Sequence, residues 1–178
     1  MINLAGGRHS LEQALEEYHV AWHAFLNEFN LSKLGQAFKP TTLSWKVADR
    51  KALFENLASL GGQTEQVHIG TVDNRFIASI VLKDSDVHGM KIIKILERRP
   101  GSSDPLGLDS IDYLVEDIDA AFHKLKAAKA HIEHQTNAMH DWLSLRFGQN
   151  NQYEAKLTDH LVLEVAIKEL KSALDSLT

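Results

Sequence analysis

Cysteine is missing altogether from the 178 residues. Its absence excludes disulfides, thiolate metal sites and a cysteine nucleophile. A surplus of positive charge is missing too. The formal net charge is -5, whereas a nucleic-acid surface needs basic groups to displace phosphate counterions. No apolar run approaches the ~20 residues that span a bilayer, and the first ten residues lack the apolar core of a signal peptide. These absences lead us to expect a cytoplasmic protein, monomer or homodimer, without nucleic-acid or membrane partners. The remaining composition, 44% hydrophobic and 24% charged, is that of an ordinary globule. Its length suits one well-filled domain or two half-domains sharing an interface.

Residues 1–38 read as a helical segment. Leu11, Leu15, Tyr18, Trp22, Phe25 and Phe29 follow one another at alternating spacings of four and three, which draws a single apolar stripe down a helix. Ser10 with Gln13 fits a capping box at its start. The stripe is expected to dock on the rest of the chain. His19 and His23 lie one turn apart beside it, but without a third ligand they read as boundary residues.

The rest of the chain carries an internal repeat. Thr42–Leu57 recurs 68 positions later as Ser110–Leu125, with Val47, Asp49, Ala52, Phe54 and Leu57 meeting identical residues at Val115, Asp117, Ala120, Phe122 and Leu125. Glu97 and Glu164 end the two copies one residue out of step. A repeat of this length means a duplicated structural unit.

Each copy reads as strand, helix and further strands. In the first, residues 40–99, Leu43, Trp45 and Val47 alternate with polar neighbours and Asp49 caps a helix. Strands follow near 65–72, 76–82 and 91–98. The turn-forming linker Arg98–Gly107 leads into the second copy, residues 108–168. There the strands are expected at 109–115, 131–135, 142–148, 153–157 and 161–167, with a terminal helix over 169–178.

This pattern resembles the vicinal oxygen chelate superfamily of glyoxalases, bleomycin-resistance proteins and extradiol dioxygenases. Asp112–Ala128 is similar to the first strand and helix of its βαβββ module, and Tyr153–Val165 to the closing hairpin. The preceding helix, strand Lys91–Arg98, the Pro-Gly linker and strand Asp109–Val115 look most like the uncharacterised YecM-like branch. The resemblance implies an α+β fold with two βαβββ modules of the glyoxalase/bleomycin-resistance type around a cleft. It also places metal ligands on the first and last strands of both modules. By position these fall on Thr42, Glu97, Ser110 and Glu164, so both customary histidines are replaced by hydroxyls. No zinc or nickel is therefore expected there, whereas a weakly held Mg²⁺, Mn²⁺ or Ca²⁺ is allowed.

Strand alternation by itself selects cleft residues. With Leu43, Trp45 and Val47 under a helix, Thr42, Ser44 and Lys46 face the other way, as do Ser110 and Asp112 in the second copy. Placing Glu97 and Glu164 on the same floor gives three carboxylates, Glu97, Asp112 and Glu164. Such a group needs compensation. A hard cation with Ser110 or water, the side chains of Lys46 or Arg146, or a cationic or hydrogen-bond-donating ligand would each supply it. His68 and His134 hold similar places in the two copies and are further cleft candidates.

Three functions compete. The first is small-molecule binding with a degenerate metal site. The second is a carboxylate-based isomerase or lyase, with Glu97 or Glu164 as base beside a hard cation or Arg146. The third is a protein-interaction module that uses the apolar stripe or an open sheet edge.

Overall fold

The computed structural model describes residues 2–7, 9–32, 38–83, 89–127, 132–136 and 141–158. Helix α1 spans Leu11–Glu28, its first turn capped by Ser10 Oγ, which accepts from the Gln13 N–H at 3.3 Å. The first module then runs β1 (Lys39–Val47), α2 (Arg50–Ser59), β2 (Thr64–Val72), β3 (Arg75–Leu82) and β4 (Ile92–Glu97). The second runs β5 (Gly107–Leu114), α3 (Ile118–Ala127), β6 (Ile132–Thr136), β7 (Asp141–Phe147) and β8 (Tyr153–Thr158). Among the described residues, no helix is long and apolar enough to cross a membrane.

Among the described residues, eight strands form one sheet in the order β2-β3-β4-β1-β5-β8-β7-β6. Each half has the same layout, with its first strand parallel to its last and the others antiparallel. The halves join where β1 pairs antiparallel with β5, and Leu43 lies opposite Ile111. Those two residues are also 68 apart, so the pseudo-twofold axis relating the copies passes through their pair. The fold is the α+β arrangement of two βαβββ modules.

Both module helices start in the same way. Asp49 accepts from the Ala52 N–H at 2.9 Å and Asp117 from the Ala120 N–H at 3.0 Å, which satisfies donors that the helix itself cannot. At the β2–β3 hairpin, Asp73 and Asn74 take φ of 52° and 63°, a conformation that asparagine and aspartate tolerate and that suits the twist of a tight hairpin.

The core lies on the helix-covered side of the sheet. Leu43, Trp45, Val47, Ile93 and Ile95 from the first module meet Ile111, Leu143, Leu145, Ala155 and Leu157 from the second. Helix α1 buries its stripe here, against β5 and β7. Trp22 stacks on Tyr113 with ring centroids 5.1 Å apart and lies equally close to Phe147. The stripe is thus consumed by the fold, and the interaction reading loses it as a free surface. Among the described residues, the outer strand β2 leaves one edge of the sheet unpaired.

The strand that runs parallel to β5, and so closes the second module, is β8, Tyr153–Thr158. A βαβββ module holds three strands after its helix, and β6, β7 and β8 already supply them. Residues 159–178, including Glu164 and the expected terminal helix, lie outside the described residues.

Candidate functional site

The face of the sheet opposite the core is concave and holds a cleft of about 540 Å³. Its walls come from alternate residues of the central strands. Ser44 and Lys46 stand on β1, Lys94 and Leu96 on β4, Asp112 on β5, and Glu154 and Lys156 on β8. Arg75, Ile77 and Ser79 of β3 close one side, and Arg146 of β7 the other. The structure therefore brings Ser44, Lys46, Asp112 and Arg146 together on one surface.

Thr42 and Ser110 occupy the same face by register, Thr42 opposite Asp112 and Ser110 opposite Ser44. Both are buried below the open space, and neither lines it. The Ser110 hydroxyl has no hydrogen-bond partner among the described residues.

Glu97 is not in the cleft. In the parallel β1–β4 pair it lies opposite Val47, as Ile95 lies opposite Trp45, so all four share the helix-covered face. Its Oε2 accepts from the Phe76 N–H at 2.9 Å and approaches Arg50 Nε at 3.5 Å, while the Arg50 guanidinium sits over the Phe76 ring at 4.1 Å. Glu97 thus ties the start of α2 to the start of β3. The misplacement has a physical cause: β4 is apolar on both faces (Ile92, Ile93, Ile95, Leu96), so alternation alone cannot say which face is inside. Glu97→Ala is expected to cost about 1 kcal/mol of stability through the lost hydrogen bond. It should leave ligand binding in the cleft unchanged, as calorimetry on folded protein would show. Weakened binding would contradict this placement.

The two histidines also prove inequivalent. His68 pairs with Ser79 and belongs to the cleft side of the edge strand β2, outside the cleft lining. His134 pairs in the backbone register with Leu143, whereas the equivalent of His68 is Glu133, opposite Ser144. Their similar spacing in sequence is one residue out of step in the sheet.

These positions do not fit the metal that the superfamily resemblance implies. Of the four inherited positions, two are buried hydroxyls, one lies on the opposite face, and one is outside the described residues. Among the described residues, no three histidine, aspartate or glutamate side chains converge.

Sequence reasoning missed Arg75, Ser79, Lys94, Asp109, Glu154 and Lys156. Four of these could have been found: Lys94 interrupts the apolar run Ile93–Ile95, Ser79 sits between Ala78 and Ile80, and Glu154 and Lys156 alternate with Ala155 and Leu157. Asp109 had no such signal. An irregularity in the β1–β5 register, where Ser44 pairs with Ser110 but Trp45 with Leu108, leaves it unpaired and lets it turn to Lys46 at 3.2 Å.

Charges in the cleft fall into two groups. Lys46 reaches Asp104 at 3.4 Å and Asp109 at 3.2 Å, and Arg146 reaches Glu154 at 3.0 Å. Glu154 also accepts from the Ser144 hydroxyl at 2.8 Å. Among the described residues, Arg75, Lys94 and Lys156 form no ion pair within contact distance.

Asp112 is partly buried and its Oδ1 is without a hydrogen bond among the described residues. Desolvation pushes its carboxyl above the usual range. Lys156 and Lys94 oppose that shift, while Glu154 and Asp109 add to it. A folded-state value above the unfolded one makes stability complete at pH below the ordinary carboxylate value, with loss as pH rises through the folded-state value. Asp112→Asn should therefore raise the melting temperature near neutral pH and lose that advantage below about pH 4. Melting curves across that range test it, and a gain that is independent of pH would contradict it.

No protein-family profile matches the chain, and no curated protein does. Solved structures do. One titled "Structural Genomics, Protein EC4020" matches with a TM-score of 0.64 at 11% identity, covering 89% of this chain and 91% of that one. Methylmalonyl-CoA epimerase from Mycobacterium tuberculosis has a TM-score of 0.49 at 15% identity, covering 68% and 87%. A mutant of 4-hydroxymandelate synthase from Streptomyces coelicolor has 0.47 at 10%, covering 69% and 48%. At such identities the likeness concerns fold alone.

Proposed function

We propose that this is a small-molecule-binding protein of the vicinal oxygen chelate fold whose ancestral metal positions have degenerated and whose cleft takes a small organic anion. One observation carries the reading. Cationic side chains lining the cleft outnumber anionic ones six to four, in a chain whose net charge is -5. Three of the six, Arg75, Lys94 and Lys156, are free of ion pairs among the described residues. A concave wall focuses such a field and raises the local concentration of anions. The helix before the modules and the Pro-Gly linker between them support the YecM-like branch as the finer assignment. The cysteine-free composition supports a cytoplasmic setting.

Titration with short carboxylates and phosphate monoesters at low and high salt tests the proposal. Binding that weakens with ionic strength is expected, together with rejection of the matching amides. Equal affinity for acid and amide would refute it.

An isomerase or lyase is the second reading, supported by the Asp112 carboxyl in the cleft wall, which burial makes a stronger proton acceptor than an ordinary carboxylate. Exchange of a ligand carbon-bound proton into deuterated water, followed by nuclear magnetic resonance and lost in Asp112→Asn, would favour it. Binding without exchange would leave the first reading.

A further inference from the structure

The cleft contains the same row of residues twice. Across one half of the sheet, Ser79, Lys94 and Ser44 are register partners. Across the other, Ser144, Lys156 and Asp112 are. The pseudo-twofold axis through Leu43 and Ile111 exchanges the two rows and makes Ser44 and Asp112 equivalent positions, 68 residues apart. They differ in that one residue, a hydroxyl in the first and a carboxylate in the second.

The difference makes the two ends of the cleft chemically unlike. Lys94 has only hydroxyls beside it in its row, and Arg75, further along β3, adds a second unpaired cation. That end carries net positive charge. At the other end Lys156 lies opposite Asp112, and Glu154 is engaged by Arg146 and Ser144, so the charges balance. What the second end has instead is an unfilled acceptor, Oδ1 of Asp112, buried and without a partner among the described residues. A ligand bearing only an anionic group would satisfy the first end and leave that acceptor unmet, at the cost that attends a buried polar atom without a hydrogen bond.

On the anion-binding reading above, we infer that the cleft selects a carboxylate carrying a hydroxyl or ammonium group at its far end, the anion at Lys94 and the donor at Asp112. The two side chains arise from strands separated by one intervening strand. Asp112 also lies two residues further along its strand than the partner of Ser44, so their backbones are about 12 Å apart, and the two ligand groups belong at opposite ends of a short chain.

Calorimetric titration with butanoate, 4-hydroxybutanoate and 4-aminobutanoate, and with the corresponding hexanoates, tests this. Within the better-fitting length, the donor-bearing acids should bind at least about tenfold more tightly than the plain acid. Asp112→Asn, which keeps an acceptor but loses the charge, should abolish the preference for the amine and retain that for the alcohol. Asp112→Leu should abolish both while still binding the plain acid, which also certifies its fold. Lys94→Met should weaken all three acids in equal proportion. If plain and donor-bearing acids bind equally and remain dependent on Lys94, this inference is overturned and the anion reading stands. If no acid binds, or Lys94→Met changes nothing, the anion reading falls and this inference with it.

Discussion

Truncation of Trp22 to alanine is expected to lower the unfolding free energy by about 3–5 kcal/mol. Trp22 is 3% exposed and touches four aromatic rings: Phe25 on its own helix, Phe38 just before β1, Tyr113 on β5 and Phe147 on β7. Its ring lies only 11° from parallel with that of Tyr113. The cavity left by alanine cannot be refilled, because its other walls are rigid rings carried by three separate elements. In a chain of this size the loss corresponds to a fall of roughly 10 °C in melting temperature. Trp22→Phe keeps an aromatic face toward Tyr113 and should cost clearly less. Denaturant unfolding of both variants measures the difference. A cost below about 1 kcal/mol for the alanine variant would mean that α1 is not part of the cooperative unit.

Reversal of charge at Lys94 should have the largest effect on binding. Lys94→Glu replaces the cation between Ser79 and Ser44 with a carboxylate and removes an attraction that Asp112 now feels. Loss of a charged partner at a binding site commonly costs 2–5 kcal/mol, so anion affinity should drop by roughly 100-fold or more. The carboxyl of Asp112 should move further up, since two carboxylates would then share the floor. Lys94 is partly exposed and its side chain supports no core contact, so the fold should survive. Lys156→Glu should weaken binding less, because Lys156 already lies opposite Asp112. Equal losses at the two lysines would mean that the two ends of the cleft are not distinguished in this way.

Glu97 and Asp112 show how far a strand can be read without its neighbours. Alternation selects Asp112 for the cleft, and the position of Glu97 at the end of its module implies the same face. For Asp112 the rule succeeded, because Ile111, Tyr113 and Val115 are apolar and their neighbours on β5 are mostly polar. For Glu97 the implied face was wrong, on a strand with isoleucine or leucine on either side. Only the parallel pairing of Val47 with Glu97 reveals that this glutamate shares the helix-covered face.

The identical residues spaced 68 apart determined by themselves that the chain folds as two like modules, since a sequence repeated with its caps and apolar positions must bury the same surfaces twice. The spacing of Leu11, Leu15, Tyr18, Trp22 and Phe25 likewise determined a helix with one buried face. Tertiary structure alone decided which strand closes the second module, which face of β4 is inside, and that Asp109 turns outward at an irregular pairing. Those outcomes depend on strand register, which is set by contacts between residues far apart in the chain. A one-residue slip sends every side chain to the opposite face while leaving the local pattern unchanged.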